Sequence, residues 1–229
     1  MQDWADEQRR MMQEIQREVE YTRSLIGKSA LDERVMQVMA RIPRHEFVPG
    51  DSQRYAYDNS PLPIGCQQTI SQPYIVALMT DLLKVEPQHR LLEVGTGSGY
   101  QAAILSQLAE QVYSVEIIPE LGEQAKNRLK RLGYDNVEVK VADGYHGWLE
   151  HAPFDGIIVT AAATHIPQPL IDQLKPGGRL VIPVGSHWGP QVLILVTKTP
   201  EGELETRNVL GVAFVPLTRR EEGNKEDKW

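Results

Sequence analysis

The chain has 229 residues, 41% of them hydrophobic, and a formal net charge of −7. That length fits one α/β domain with additions or two small domains, and the acidic balance argues against a protein that coats nucleic acid or anionic membranes through a general basic field. The single cysteine, Cys66, excludes an intramolecular disulfide, residues 1–20 lack the apolar run of a signal peptide, and no stretch approaches the roughly 18 apolar residues of a membrane span, so a cytoplasmic protein is expected.

Trp4, Met11, Met12, Ile15, Val19 and Leu25 fall at helical steps and predict a helix over 3–26, stopped by Gly27, with one face packed on the body. A second helix is expected over 31–41, with Ser29 or Asp32 as its cap and Pro43 beyond its end. Residues 43–70 carry Pro43, Pro49, Gly50, Pro61, Pro63 and Gly65 and read as a loop. Proline-rich connections of this length tend to be functional or disordered, and Phe47, Val48, Tyr55, Tyr57, Leu62 and Ile64 favour an ordered loop lying on the body. Thr69 or Ser71 then starts a helix with Pro73 in its first turn and Ile75, Val76, Leu78, Met79, Leu82 and Leu83 on its apolar face.

From Arg90 strands and helices alternate. Strands are expected at 90–94, 112–116, 137–141, 155–160 and 179–184, and helices at 99–109, 119–132, 146–150 and 167–174. Such alternation predicts an α/β fold, a doubly wound, mostly parallel sheet with helices on both faces. Pro176-Gly177-Gly178 reads as a turn feeding the last of these strands. Val192–Thr197, Leu204–Val209 and Val212–Val215 predict an antiparallel edge, and residues 219–229 a frayed charged tail.

The most informative stretch is Leu91-Leu92-Glu93-Val94-Gly95-Thr96-Gly97-Ser98-Gly99-Tyr100. A buried strand ends in a carboxylate, three glycines follow in five positions, and a helix begins. Glycines permit φ > 0 and close approach of a ligand to backbone, and the helix N-terminus offers free amides. The register Gly97-Ser98-Gly99-Tyr100-Gln101-Ala102 also satisfies the dinucleotide pattern, so a nicotinamide enzyme is a competing reading. Glu116, at the end of the second strand, can accept from both ribose hydroxyls of either cofactor class. Two features separate the classes. Glu93 suits a cationic amino-acid tail and would repel a pyrophosphate. Asp143-Gly144 follows the third strand, where the Asp can accept from an adenine amine.

Glu93, Gly95-x-Gly97-x-Gly99, Glu116, Asp143-Gly144 and Pro176-Gly177-Gly178 together resemble the Class I S-adenosylmethionine-dependent methyltransferases, over residues 86–185. Flanking segments narrow the resemblance. Arg41-Ile42-Pro43-Arg44-His45-Glu46-Phe47-Val48-Pro49, Tyr57-Asp58, the run from Pro61 to Tyr74, Phe154-Asp155, Thr160-Ala161-Ala162 and Phe214-Val215-Pro216-Leu217 are similar to the protein-L-isoaspartate O-methyltransferases, in order from residue 30 to 218. One departure is Cys66-Gln67, where many bacterial members carry a second glycine.

The resemblance implies one catalytic domain: a helical part with a substrate loop (1–85), a cofactor core (86–185), C-terminal strands (186–218) and the tail. It implies Ser71 as the active-site serine, and Gln68, Thr69, Ile70, Glu93, Gly95, Gly97, Gly99, Glu116, Asp143, Gly144 and Thr218 on S-adenosylmethionine. Thr69, Ile70, Ser71 and the Val215 backbone would line the isoaspartyl site. The implied reaction methylates the free α-carboxylate of an L-isoaspartyl residue, after which the ester cyclises to a succinimide that hydrolyses partly to aspartate. Partners would be isoaspartyl peptides and flexible protein segments, with no nucleic acid or membrane, and a monomer is expected. No metal site is expected, because the six histidines form no H-x-x-x-H pair and Cys66 stands alone. Trp148 and Trp188 read as packing groups. A methyltransferase for RNA or small molecules is opposed by the net charge and the 61–74 loop. A non-catalytic adaptor is opposed by the presence together of Glu93, Glu116, Asp143 and Ser71.

Overall fold

A computed structural model describes residues 4–186 and 189–219; Trp188, the expected tail from 220 onward and the start of the first helix at residue 3 lie outside the described residues. The amphipathic N-terminal segment forms α1 (Trp4–Ile26), with Met11, Ile15, Val19, Thr22 and Ile26 buried along one stripe. Gly27, at φ +71°, ends it. Its first turn stacks Trp4 on His45, ring centroids 4.5 Å apart. α2 (Glu33–Met39) is shorter than its periodicity predicts and is capped by Asp32, which accepts from Arg34 N.

The expected loop over 43–70 is ordered but holds more structure than proline and glycine content suggested. It contains two 3-10 turns (Arg44–Phe47 and Gly50–Tyr55) and an antiparallel hairpin of β1 (Leu62–Gly65) and β2 (Gln68–Ile70). The two hairpin-tip residues, Cys66 and Gln67, both lie at positive φ, 49° and 58°. That is the geometry of a two-residue type I′ turn, which ordinarily takes Asn-Gly. Thr69 therefore lies in a strand, and α3 (Pro73–Leu83) is preceded by Gln72 rather than capped by Thr69 or Ser71.

The core sheet runs through β3 (Arg90–Val94), α4 (Tyr100–Ser106), β4 (Gln111–Glu116), α5 (Pro119–Arg131), β5 (Val137–Val141), β6 (Phe154–Val159), α6 (Gln168–Asp172), β7 (Leu174–Gly185), β8 (Gln191–Lys198) and β9 (Leu204–Val212). Strand order is β5-β4-β3-β6-β7-β8-β9, parallel through β7 and antiparallel at β8 and β9. One hydrophobic cluster joins α1, α2, α3, α4 and α5 to the sheet; a second, with Trp148, Leu170 and Ile171, covers the other face. Leu92, Val94 and Ile157 are buried in the second cluster, Leu91 and Ile158 in the first, as strands covered on both faces require.

Four expectations are corrected. The helix expected at 146–150 is two 3-10 turns, Gly144–His146 and Leu149–His151, broken at Gly147 (φ +65°), where a Cβ would lie 2.4 Å from Gln173 Oε1. β7 begins at Leu174, so Pro176-Gly177-Gly178 falls within the strand, with an irregular register opposite Phe154–Gly156. Val212–Val215 is no separate strand: β9 ends at Val212, and the chain continues to an isolated bridge between Ala162 and Pro216. Arg219, assigned to the tail from its charge, is docked over the Tyr145 ring at 3.7 Å.

Candidate active site

β3 is the first core strand and its neighbours, β4 and β6, lead away in opposite directions, so the loop after it opens at the switch point of the sheet. That loop, Gly95 to Gly99, is stitched to its surroundings. Gly95 N donates to Val115 O (2.8 Å) and Gly97 N to Glu116 Oε2 (2.8 Å). Thr160, at the end of β6, donates from Oγ1 to Gly95 O at 2.6 Å. A Cβ on Gly95 would sit 2.5 Å from that Oγ1, and its φ is +98°, so this position requires glycine. Gly99 lies behind the wall, at φ +86°, where a Cβ would meet Leu129 at 3.2 Å.

A narrow cleft runs along this edge. Gln68, Thr69, Gly95, Gly97, Glu116, Gly144, Val215 and Thr218 line it, with Val94, Val115, Ile117, Ile118, Thr160, Ala161, Pro216 and Leu217. A smaller adjoining cavity is lined by Thr69, Ile70, Ser71, Gly95, Thr96, Gly97, Tyr100, Gln101 and Thr160. Ten of the expected site residues are therefore on the two walls: Gln68, Thr69, Ile70, Ser71, Gly95, Gly97, Glu116, Gly144, Val215 and Thr218. Gly144 packs so tightly that a Cβ would lie 2.5 Å from Val94 Cγ1, which keeps that end of the cleft open to a flat group.

Three expected residues stand off the walls: Gly99, behind them, Asp143 and Glu93. Asp143 accepts from Tyr145 N at 3.0 Å, capping the turn, and lies 3.6 Å from Arg219 Nε. Glu93 is fully buried beneath the loop, where Ser114 Oγ donates to its Oε2 and also meets Thr96 Oγ1 at 2.5 Å. Its Oε1 has no partner. Burial pushes the Glu93 carboxyl up to about 8, against the lowering effect of Ser114 and with the nearby Glu116 charge adding to the rise. Glu116 has both oxygens engaged on backbone, Oε2 by Gly97 N and Oε1 by Ile118 N at 2.9 Å. Each oxygen keeps a further lone pair for a donor in the cleft.

The C-terminal segment closes the cleft through main-chain bonds. Ala162 N donates to Val215 O and Leu217 N to Ala162 O, both at 2.8 Å. Gln191 holds Phe214 at both its N–H and its carbonyl, at 2.7 and 3.1 Å. By contrast, Phe154-Asp155 lies at the opposite end of the sheet, where Asp155 accepts from Arg90 N (2.8 Å) and Lys175 Nζ (2.7 Å) and ties three strands together. Thr160, Tyr100, Gln101 and Arg219 were not singled out for roles from the sequence. Thr160 carried a signal, a hydroxyl at the end of a strand next to the glycine loop; the others become neighbours only through the fold. Among the described residues, no group of three or more His, Cys, Asp or Glu is placed to hold a metal ion.

The arrangement suits S-adenosylmethionine. Glu116, Gly144, Ile117 and Ile118 line one cleft beside the glycine loop, and Glu93, off its walls, carries a buried oxygen without a partner. A dinucleotide would need an anion site where Glu93 stands.

Comparison with known proteins agrees. A sequence model of the family "Protein-L-isoaspartate(D-aspartate) O-methyltransferase (PCMT)" matches residues 15–222. A protein-L-isoaspartate O-methyltransferase 2 of Syntrophobacter fumaroxidans is 65% identical over 91% of this chain and 85% of its own length. One of the same name from a Polaromonas species is 65% identical over 91% of this chain and 99% of its own. A solved protein-L-isoaspartate O-methyltransferase superposes at TM-score 0.79 with 27% identity, over 91% of this chain and 65% of that one. A solved Plasmodium falciparum relative, described as a putative enzyme of this type in complex with S-adenosyl-L-homocysteine, matches at TM-score 0.74 and 26% identity, over 90% of this chain and 98% of that one. The chain belongs to the protein-L-isoaspartate(D-aspartate) O-methyltransferase family.

Proposed function

We propose that the cleft between the glycine loop, Glu116, Gly144 and Thr218 holds S-adenosylmethionine, and that the adjoining cavity at Ser71 receives the free α-carboxylate of an L-isoaspartyl residue. The observation that carries this reading is the shared wall: Thr69, Gly95, Gly97 and Thr160 line both spaces, so donor and acceptor meet there. Bound in the cleft, S-adenosylmethionine supplies an electrophilic methyl group.

The protein's own work is alignment and exclusion of water. A carboxylate of ordinary pKa, about 3.5, is already ionised at neutral pH and needs no base. Positioning can supply roughly 7–11 kcal/mol. Ser71 orients the carboxylate through a modest hydrogen bond, since a strong one would blunt the nucleophile. Gln68, Thr69 and Ile70 form the partition between the sites, and the 215–218 segment covers them. Asp143, held by Tyr145 N, and Gly99, starting α4, act on the cofactor by fixing the turns that frame it. Glu93 serves its ammonium end.

On this reading residues 1–229 act as one catalytic unit, working as a cytoplasmic monomer on peptides and flexible protein segments rather than on nucleic acid or membranes. No helix among the described residues is long and apolar enough to cross a membrane. The test is Ser71→Ala with a labelled methyl donor and an isoaspartyl peptide: kcat/KM falls about tenfold or more, the loss of one oriented hydrogen bond, while S-adenosylhomocysteine affinity holds. Full retention of kcat/KM contradicts the role given to Ser71.

A further inference from the structure

Three buried side-chain polar atoms among the described residues lack a hydrogen-bond partner: Glu93 Oε1, Arg44 Nη1 and Tyr100 Oη. The last two belong together. Arg44 is fully buried, with its guanidinium carbon 4.8 Å from the centroid of the Tyr100 ring. Its Nε donates to Ala56 O and its Nη2 to Ser71 O, both at 2.8 Å. The Tyr100 hydroxyl lies close enough to the guanidinium to stabilise its charge, as a hydrogen-bonding neighbour whose contact falls short of full hydrogen-bond geometry at Oη and Nη1. Among the described residues no carboxylate pairs with this guanidinium; its electrostatic neighbours are Tyr100 and Tyr57.

A buried cation without a counter-ion is costly. Two carbonyl dipoles offset part of that cost, and a methionine or leucine would avoid it entirely. The charge lies directly behind Ser71, and both Ser71 and Tyr100 line the small cavity. The group that enters this cavity on the reading above is an anion. We propose that Arg44 is a positioning residue whose buried charge selects the ionised carboxylate: the guanidinium holds the Ser71 main chain and, across it, attracts the acceptor carboxylate into the cavity. The proposal rests on the methyl-transfer reading. It also explains arginine rather than lysine, because only a fork reaches Ala56 and Ser71 together.

If Arg44 only staples two loops, its loss weakens every ligand of the cavity alike. Charge selection makes a different demand. The experiment titrates the S-adenosylhomocysteine-loaded protein with an isoaspartyl peptide and with its α-carboxamide counterpart, which has the same shape and no charge. The wild-type protein is expected to prefer the carboxylate by about tenfold or more, and Arg44→Met to lose about tenfold of that preference. Arg44→Lys, which keeps the charge and one of the two bonds, retains most of it. Equal weakening of both peptides by Arg44→Met overturns the proposal. So does a wild-type protein with no preference, which needs no variant and covers the case of an Arg44→Met protein that does not fold. Failure of the underlying reading is separate: the wild-type protein would then transfer no methyl group to the isoaspartyl peptide at all.

Discussion

Gly97 donates its backbone N–H to Glu116 Oε2 at 2.8 Å, so the loop after β3 and the acid ending β4 form one unit. The other oxygen of the same carboxylate takes Ile118 N at 2.9 Å. One side chain thus sets both the loop and the chain that borders the cleft, and the cofactor would meet a carboxylate already fixed in place.

Glu116→Gln puts an NH2 group where one of these N–H groups must find an acceptor. S-adenosylhomocysteine binding should weaken about 10–100-fold, or about 1.4–2.7 kcal/mol, as measured by calorimetry. An unchanged affinity would remove Glu116 from the cofactor site.

Glu93 gives a pH prediction. Its carboxyl is raised to about 8 in the folded protein, from an ordinary value of 4.5. The folded protein keeps this proton across the interval in which the unfolded chain releases it. Stability from this group is therefore complete below about pH 4.5, declines as the pH rises, and levels off above about 8. Glu93→Gln abolishes that decline. In urea unfolding of the unliganded protein, the two should be close near pH 4, and the variant should gain on the order of a few kcal/mol relative to wild type by pH 8. A difference that does not change with pH contradicts a buried, protonated Glu93.

The tip of the β1-β2 hairpin is strained, because Cys66 and Gln67 both occupy the left-handed region, at φ 49° and 58°. Replacing Cys66-Gln67 by Asn-Gly, the pair suited to this turn, should stabilise the protein by about 1–2 kcal/mol, or about 2–8 °C in Tm by calorimetric scanning. A lower Tm would mean that side-chain contacts there, such as Cys66 Sγ to Glu120 Oε2 at 3.7 Å, outweigh the strain.

The parallel core was legible because its strands are short segments rich in β-branched and apolar residues, alternating with charged ones in β5, and bounded by turn signals, and the order of Glu93, the glycines, Glu116 and Asp143-Gly144 follows from strand ends meeting at one edge. The hairpin was not, since Cys-Gln carries no turn signal and its φ values are imposed by pairing of Leu62 with Ile70. Asp143 and Glu93 were assigned to the cleft edge, but the sequence does not say which way each side chain turns. The fold sets Glu93 under the loop against Ser114, and Asp143 toward Tyr145 N. Arg44 is the extreme case: 27 residues separate it from Ser71, and nothing short of the packed structure puts its guanidinium on that carbonyl. The N-terminal helix had no assigned role; Trp4, outside the span matched by the family, stacks on His45, the neighbour of Arg44.

The deciding measurement for isoaspartyl methylation is transfer of a labelled methyl group from S-adenosylmethionine to a matched pair of peptides that differ only in having isoaspartyl or aspartyl at one position. Base-labile methyl ester is expected on the isoaspartyl peptide and none above background on the aspartyl one. Transfer to neither, or to both equally, would contradict isoaspartyl methylation.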